Sequence, residues 1–399
     1  MRGRYERRSW QHDPTAYAPP RHRRACAYDV FLPDPLDGYG PSMSAETSAV
    51  VSDAEQALVR IGSNHARALA PLARLLLRTE SIASSKVEGL AVDVHDLARG
   101  EARADTGGRL SSTTAEVLAN IGAMELAVED ATAAPAFDRA QVTAIHARLM
   151  ATAANQRMSG RIRTTQNWIG GNDYNPCGAD FVPPPPEMVS TLLDDVCGAV
   201  RSDALPPLVQ AALVHAQFET IHPFDDGNGR TGRALVHVVL RRRGLTPHYV
   251  PPISVVFAAD REGYIAGLVA YRDGDVDAWV ERFAVAAKRA ADLAAVYLDE
   301  VAALTERWRG QLRAHAAPRA DAAAWAIIEE LPAHPVINSV VAAAATGRAK
   351  AAVHAGLEHL EQAGVLVPLS AGRRNRTWEA AGLLDLVSDL EDGSVPGGG

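Results

Sequence analysis

The spacing of apolar residues along the chain predicts a mainly helical protein. From about residue 46 onward, apolar positions recur at intervals of three and four, which is the period of one helix face. The first such run extends through an N-terminal helical region that ends near residue 110. Further helices are predicted at about 113–132, 139–153, 187–202, 206–221 and 228–243, and then onward to about 315.

Two segments depart from the helical period. Residues 161–182 are rich in β-forming residues around a Gly/Asn/Asp turn, which predicts a β-hairpin that the prolines at 183–186 end. Residues 320–390 predict two short helices and a longer one, followed by the apolar run VLVPL and the basic turn AGRRNRTW. That order is typical of a small winged helix-turn-helix domain.

These patterns divide the chain into four regions. Its 399 residues are enough for two or three domains with hydrophobic cores of their own. The predicted regions are an extended N-terminal segment at 1–45, a helical region at 46–110, a helical core at 111–315 and the winged-helix domain at 318–392.

Composition excludes several classes of protein. The chain is 47% hydrophobic and 22% charged with a net charge of −8, so no general attraction to nucleic acid or acidic membranes is expected. No apolar run approaches the roughly 20 residues of a membrane span, and the N-terminus lacks the apolar stretch of a secretory signal. Cys26, Cys177 and Cys197 show neither paired nor zinc-binding spacing, which favours buried or idle thiols in a reducing compartment. The prediction is a soluble cytoplasmic protein.

Residues 222–233, reading HPFDDGNGRTGR, form the strongest chemical signal. Gly227 and Gly229 let the backbone turn its N–H groups inward, and the new helix that begins there adds further N–H groups and a partial positive charge. This loop is therefore expected to hold an anion. Arg230 and Arg233 lie three residues apart on the same helix face, where both can bind phosphate oxygens.

Two more side chains extend that chemistry. Asp226 is a hard oxygen ligand beside the predicted anion site, as a magnesium ion that bridges phosphates needs. His222 can accept a proton near neutral pH. A base, a metal ligand, a row of amides and two cations together indicate nucleotide chemistry.

Three plainer interpretations of this loop remain as alternatives. GNGRTG matches the dinucleotide fingerprint by letter, but a helix precedes it rather than a strand, and the next acidic residue after Arg233 is Asp260. DDGNG resembles a calcium loop without the ligand spacing or the closing glutamate. An ordinary Asp/Gly turn that caps a helix is the third. A Walker-type loop is excluded because the chain contains no Gly-Lys dipeptide.

The segment HPFDDGNGRTGR resembles the Fic motif HxFx(D/E)GNGRxxR, and every defined position is matched. The segments QNWIGG and PPPP resemble the flap of the same family, and the resemblance extends from about residue 25 to 390. It implies a Fic-type helical core with a β-hairpin flap. It also implies a protein adenylyltransferase, which transfers AMP from ATP to a Ser, Thr or Tyr hydroxyl. Relatives that phosphorylate instead carry lysine where this chain has Gly229.

The resemblance also implies a role for each motif position. His222 would deprotonate the target hydroxyl, Phe224 would anchor the loop in the core, and Asp226 would hold Mg²⁺ or Mn²⁺. The implied nucleotide-binding residues are Gly227, Asn228 and Gly229 as an anion hole, Arg230 at the β-phosphate and Arg233 at the γ-phosphate. Tyr264 is a candidate for the adenine pocket, and a core tyrosine is the alternative.

A second motif, SSKVEG at 84–89, resembles the inhibitory motif (S/T)xxxE(G/N) of the family through Ser84, Glu88 and Gly89. By itself Glu88-Gly89 is a helix end, because glycine is a usual C-cap. The resemblance implies that Glu88 pairs with Arg233 and so restrains the enzyme. On the flap, an exposed edge can pair with an extended target segment. Trp168 and Ile169 are the predicted clamping side chains, with a core role for Trp168 as the alternative.

The C-terminal region does not carry the charge of a DNA reader. Residues 319–392 contain six basic and ten acidic side chains, whereas phosphate contacts need a sustained basic face. A docking platform for the target protein or a homodimer contact is the alternative. Three other functions remain open: removal of AMP, alone or beside its addition, use of another nucleotide such as UTP, and a nucleotide-sensing DNA-binding regulator.

Overall fold

Helices dominate the structure, as the apolar spacing predicts. The computed structural model describes residues 2–64, 69–104, 109–152, 156–369 and 376–393. Within these ranges the α-helices are α1 (Ala45–Asn64), α2 (Leu69–Val87), α3 (Val94–Ala104), α4 (Ser112–Leu126), α5 (Arg139–Leu149), α6 (Pro186–Arg201), α7 (Pro207–Ile221), α8 (Asn228–Arg242), α9 (Ile253–Ala259), α10 (Arg261–Asp273), α11 (Val276–His315), α12 (Ala323–Glu330), α13 (Ser339–Thr346), α14 (Lys350–Gln362) and α15 (Leu383–Glu391). A π-helical turn, Ala127–Ala131, extends α4, and the 3₁₀ turns are Pro20–His22 and Gln156–Met158.

Strands contribute two small antiparallel sheets. β1 (Gly3–Trp10) pairs with β2 (Cys26–Pro33) from Gly3↔Pro33 to Trp10↔Cys26. In the C-terminal region, β3 (Val336–Asn338), β4 (Leu366–Pro368) and β5 (Thr377–Ala380) form a sheet of order β3-β5-β4. The extended N-terminal segment predicted at 1–45 is thus partly a paired β-ribbon.

The predicted hairpin at 161–182 is a loop with one β-bridge, Ile169↔Phe181, rather than two regular strands. The Ile169 N–H donates to the Phe181 carbonyl at 2.8 Å, and the Asp180 N–H donates to the Ile169 carbonyl at 2.9 Å. Gly170 and Gly171 follow immediately with φ of +75° each, a left-handed conformation that turns the chain out of the extended path. The prediction was right about the reversal of the chain and wrong about its strand content.

The chain divides into two compact units, of which the first comprises Met1–Ser52, Gly122–Gly244 and Glu262–Val285. Its central helix is α7, whose sequence is apolar on every side, and every side chain from Leu208 to Ile221 is buried. Helices α6 and α8 pack against it, and α5 packs against α8. The buried amide of Gln217 on α7 is matched internally, because it donates to the Asp34 carbonyl at 2.8 Å and accepts from the Tyr271 hydroxyl at 2.7 Å.

The second unit comprises Asp53–Ile121, Leu245–Arg261 and Ala286–Gly399. Helix α2 packs against α9, and the Glu80 carboxylate accepts from the Ser254 N–H at 2.7 Å and from the Ser254 hydroxyl at 2.5 Å. Helix α15 packs against α2 and α3. The helix that carries the SSKVEG motif is therefore held within this unit by parts of the chain that follow it at 253–259 and 383–391.

The C-terminal region follows the predicted order of elements, with α12 packed on α13 and α14 and the three-stranded sheet beside them. Its assignment as a winged helix-turn-helix stays a prediction. Arg373 and Arg374 of the basic turn lie outside the described residues. Arg376 is engaged, because its guanidinium lies 2.6 Å from the Glu361 carboxylate. This ion pair leaves less positive charge for phosphate contacts.

The expectation of idle thiols is wrong for two of the three cysteines. Cys26, the first residue of β2, forms a disulfide with Cys177, with a Cα–Cα distance of 6.0 Å, and Cys197 is buried and free. The two partners are 151 positions apart in the chain, so their spacing carried no sign that folding brings them together. Among the described residues, no helix combines the length and apolarity needed to cross a bilayer.

Candidate active site

The loop between α7 and α8 begins at His222, which caps α7 in a left-handed conformation with φ of 51° and ψ of 62°. This conformation is uncommon for a residue with a side chain and persists only where the surroundings fix it. Here the His222 carbonyl accepts from Arg163 Nε at 2.8 Å and from Asn167 Nδ2 at 3.2 Å. The backbone contacts thus orient the His222 side chain, which is half-buried.

Asn228 closes the loop on itself. Its Oδ1 accepts from the Phe224 N–H at 2.9 Å, and its Nδ2 donates to the Phe224 carbonyl at 2.8 Å. The Phe224 ring is fully buried and stacks on the His146 ring, with centroids 3.7 Å apart and planes within 3°. Phe224 therefore has the anchoring role expected of it, and the Asn228 amide is committed to the loop rather than directed outward.

Gly227 sets the start of α8. It is the N-cap of that helix with φ of 76°, and a Cβ there would lie 3.0 Å from Leu149 Cδ2 and 3.4 Å from His146 Cδ2. Both the backbone conformation and the space thus require glycine. The N–H groups of the first turn of a helix have no acceptor within the helix, and in α8 this turn begins with Asn228 and Gly229. An anion at this point would be stabilised by those amides and by the helix dipole.

Two buried arginines lie behind that helix start. Arg230 is 4% exposed and Arg233 is 1% exposed. The Arg230 Nε is buried and has no hydrogen-bond partner within the described part of the chain. Its guanidinium lies 3.9 Å from an Asp226 carboxylate oxygen, and the Asp226 side chain is 61% exposed. Because a buried cation is costly unless an anion neutralises it, this arrangement favours an anionic ligand.

The Asp226 carboxylate suits a magnesium ion that takes its other ligands from phosphate and water. It is exposed, and its Oδ1 accepts the Gly227 N–H at 2.6 Å. The described residues contain no group of three or more His, Cys, Asp or Glu side chains that could hold a metal ion by themselves. Mg²⁺ commonly binds through one or two carboxylates together with substrate phosphates, so the single aspartate fits such an ion.

Three residues of the site carried no separate signal in the sequence. Arg163, which is 2% exposed, ties the flap to the loop by also donating to the Pro184 and Ile221 carbonyls. Asn167 donates to the carbonyls of His222 and Phe224. His146 on α5 contacts the loop from the other side, and burial lowers its pKa to about 4. Arg163 and Asn167 lie within the segment RIRTTQNWIGG, whose likeness to the flap was the only indication.

The two flap candidates differ in exposure. Trp168 is partly buried, packs against the cluster of Val30, Leu32 and Val182, and donates from Nε1 to the Asn172 carbonyl at 2.6 Å. Ile169 is 40% exposed at the β-bridge. These contacts agree with a core role for Trp168, which was the alternative to target clamping. Ile169 is the more accessible of the two side chains.

Tyr264 lies in an aromatic cluster of the first unit. It is 5% exposed, its hydroxyl is 2.8 Å from His215 Nε2, and its ring lies 6.3 Å from that of Trp279. Burial, and then the charge of Arg233, lower the pKa of His215 to about 3, so its ring is neutral. This environment is that of a core tyrosine, which was the alternative to a place for Tyr264 in the adenine pocket.

The SSKVEG motif ends α2 in the second unit. Ser84 is fully buried, whereas Glu88 and Gly89 are exposed. Gly89 has φ of 81°, and the N–H groups of Glu88 and Leu90 both donate to the Ser85 carbonyl at 3.0 Å. The motif is therefore a helix end closed by a left-handed glycine, as the sequence indicates.

Sequence comparisons identify relatives of two segments. Residues 136–240 match the Fic/DOC family, and residues 49–129 match the Fic/DOC family N-terminal region. The chain is 32% identical over 139 residues to protein adenylyltransferase fic-1 of Caenorhabditis elegans, covering 34% of this chain and 24% of the relative. It is 37% identical over 100 residues to a probable protein adenylyltransferase of Aquifex aeolicus (strain VF5), covering 25% and 29%. The chain thus spans about a quarter to a third of the length of these relatives.

Solved structures share the fold. A Fic family protein from Desulfovibrio desulfuricans G20 aligns with a TM-score of 0.54 and 22% identity, over 86% of this chain and 99% of that chain. Fic-1 (aa134–508) from C. elegans aligns with a TM-score of 0.50 and 20% identity, over 63% and 72%. At this identity the likeness concerns the fold alone. The two matched segments show that the chain contains a Fic/DOC domain at 136–240 and a Fic/DOC N-terminal region at 49–129.

Proposed function

We propose that this chain transfers AMP from ATP to a hydroxyl group of a target protein. The observation that carries the proposal is the loop between α7 and α8, which places His222, the amides that start α8 and the buried Arg230 in one short segment. The buried Arg230 Nε, which has no partner among the described residues, is the specific sign of an anionic ligand. Relatives of the matched segments are named protein adenylyltransferases, which agrees with this chemistry.

In the proposed reaction, the oxygen of a target Ser, Thr or Tyr attacks the α-phosphorus of ATP. A new oxygen–phosphorus bond forms, the bond from the α-phosphorus to the bridging oxygen breaks, and pyrophosphate leaves with that oxygen. His222 takes the proton of the hydroxyl. The amides of Asn228 and Gly229 face the phosphates, and Arg230 and Arg233 offset the charge that develops on them.

Magnesium or manganese, held by Asp226, supplies further neutralisation of phosphate charge when bound. This chain's own contribution is to hold Asp226 in place through the backbone contacts of its loop. Positioning and charge stabilisation are expected to carry most of the rate, as in other phosphorus-centred transfers.

The proposal includes self-restraint by Glu88, with Arg233 as the cation that Glu88 would neutralise. Ile169 would make most of the contact with the target segment at the flap, and Trp168 would make less of it. A cytoplasmic location stays a prediction, and the Cys26–Cys177 disulfide argues against the reducing compartment on which that prediction partly rests. The target protein, a homodimer and a DNA contact are left to experiment.

Isotope position in ATP tests the proposed reaction. Glu88→Gly protein incubated with Mg²⁺ and a cell lysate is expected to add label from α-labelled ATP to acid-precipitable protein above the level in the same lysate without enzyme, and to add none from γ-labelled ATP above that level. Unlabelled UTP is added as competitor to test the base. Label from the γ-position above the lysate's own kinase background would indicate phosphorylation and contradict AMP transfer. If neither α-labelled nor γ-labelled ATP gives label above background, with the Glu88→Gly protein or with the unaltered protein, transferase activity is contradicted altogether.

A further inference from the structure

His146 makes three contacts at the candidate site, two with the loop between α7 and α8 and one with Gly160. Its Nε2 lies 2.9 Å from the Asp226 carbonyl oxygen, and its Nδ1 accepts the Gly160 N–H at 3.0 Å. Its ring stacks on Phe224, and the residue is 1% exposed. One buried side chain on α5 thereby joins the segment before the flap to the middle of the motif.

These contacts fix the tautomer of the ring. The Gly160 backbone nitrogen can only donate, so Nδ1 must be the acceptor. Nε2 then carries the hydrogen and donates it to the Asp226 carbonyl. The hydrogen bond is made to the backbone of Asp226 rather than to its carboxylate, which is free to face a ligand.

We infer that His146 is a positioning residue that sets where Asp226 presents its carboxylate. The inference rests on the proposed function, because that carboxylate is the proposed ligand of the divalent ion. The Asp226 Oδ1 accepts the Gly227 N–H at 2.6 Å, so the direction of the carboxylate follows the loop backbone that His146 holds through the Asp226 carbonyl. A partner of this kind typically changes metal affinity by about 10–100-fold when it is removed.

Replacement of His146 by phenylalanine, in the Glu88→Gly background, tests this role. His146→Phe keeps a ring to stack on Phe224 but lacks both nitrogens. The Mg²⁺ concentration for half-maximal AMP transfer is expected to rise about tenfold, with a smaller change in the KM for the target. His146→Gln, which keeps an amide donor for the Asp226 carbonyl, is expected to restore part of the affinity. Mn²⁺ binding in the presence of a non-hydrolysable ATP analogue, followed by electron paramagnetic resonance, gives a readout independent of activity.

The outcomes separate the inference from the function it rests on. Unchanged Mg²⁺ and Mn²⁺ affinities in His146→Phe, with only a lower melting temperature, would overturn the positioning role and make His146 a packing residue. Absence of Mn²⁺ binding and of AMP transfer in the Glu88→Gly parent itself would instead overturn the proposed function.

A different observation concerns α15, which contacts the helix of the SSKVEG motif. Lys86 lies inside that motif, and its Nζ is 3.0 Å from an Asp392 carboxylate oxygen just after α15. The next residue inward, Glu391, is 8% exposed, and its Oε1 has no hydrogen-bond partner within the described ranges. The other side of α2 is fixed by Asn120, which donates to the Ser81 carbonyl at 2.7 Å and to the Ser85 hydroxyl at 3.1 Å.

A carboxyl group buried in this way responds to pH. Burial raises the pKa of Glu391 to about 8; the positive charges of Lys86 and Arg78 oppose that rise, and the negative charges of Asp392 and Asp93 add to it. Tyr297 on α11 also faces it. An exposed glutamate has a pKa near 4.5. The packed state of α15 therefore keeps a proton that the released state loses, so packing weakens as pH rises from about 4.5 to about 8.

We propose that α15 holds the end of α2 in place and that loosening α15 relieves the restraint exerted by Glu88. This second proposal also rests on the proposed function, since it concerns regulation of the same site. The exposed Lys86–Asp392 pair alone contributes little, so buried Glu391 is the contact to alter.

The measured quantity is the AMP-transfer rate of Glu88→Gly protein divided by that of the Glu88 protein, because this ratio cancels the effect of pH on the chemistry. The ratio is expected to fall between pH 6 and pH 8, by at most tenfold per pH unit. Glu391→Gln, which keeps the shape without the ionisable group, is expected to flatten the dependence. The protection factors of the Glu88 and Leu90 amides, which are corrected for the intrinsic pH dependence of hydrogen exchange, are expected to fall over the same pH range in the Glu391 protein only.

Two results distinguish the ways in which this could fail. A large ratio that does not change with pH, with or without Glu391→Gln, would overturn the role of α15 while leaving restraint by Glu88 intact. A ratio of one at every pH would overturn the restraint itself.

Discussion

His222→Ala is expected to lower AMP transfer by about 10²–10⁴-fold, the usual contribution of a positioned general base. The target hydroxyl then has no side chain to receive its proton. Nucleotide binding is expected to change little, because the amides of α8 and the buried Arg230 and Arg233 are left in place. The rate is measured as α-label incorporated per minute in the Glu88→Gly background, beside ATP-analogue binding by calorimetry.

A matched control is needed because His222 has φ of 51°. Alanine is strained in that conformation, whereas asparagine tolerates it. His222→Asn keeps the backbone, and with it the carbonyl that accepts from Arg163 and Asn167, but supplies no base. Equal losses in the alanine and asparagine proteins would support the proton-transfer role. Near-normal activity in His222→Asn would show that the loop conformation, not the base, matters.

Glu88→Gly is expected to raise AMP transfer about 5–150-fold, the range of a coupling free energy of 1–3 kcal/mol. The expectation follows from the motif and from the chemistry, since a carboxylate that neutralises Arg233 removes a cation from the γ-phosphate. Glu88 is exposed at the C-terminal end of α2, where the helix dipole disfavours a carboxylate by about 0.3–1 kcal/mol.

Glu88→Gln separates charge from size, because glutamine occupies the same volume and lacks the negative charge. If charge carries the restraint, Glu88→Gln is expected to activate nearly as much as Glu88→Gly. Adding Arg233→Ala to Glu88→Gly is expected to abolish the gain. An unchanged rate in both Glu88 variants, with ATP-analogue binding retained, would contradict self-restraint in this chain.

The part of the site that the sequence predicted is the part that is contiguous. His222, Phe224, Asp226 and the start of α8 lie within one short segment, so their spacing alone places them together. Helix α7 could likewise be predicted, because its long and mainly apolar run continues up to His222. The chemistry of this segment needed no knowledge of the rest of the fold.

The contacts that hold this segment join residues far apart in the chain, so the spacing of residues along the sequence could not predict them. His146 and Arg163 reach the loop from 80 and 59 positions away. Residues 3–10 were predicted only as part of an extended segment, because their arginines hide the period of two, and the pairing with 26–33 makes them a strand. The sequence predicted a regular β-hairpin in the flap. The structure has a single β-bridge there, because glycines and prolines end the strand pairing after it.

The Cys26–Cys177 bond turns the chain between them into a covalent ring that contains the whole SSKVEG motif. A protease that cuts this ring once leaves a single molecule, with both pieces still joined through the two sulfur atoms. Loss of the inhibitory segment by cleavage within this ring therefore requires either two cuts or one cut together with a reductant. The redox state of one bond at the flap thus decides whether a single cleavage can separate the restraint from the enzyme.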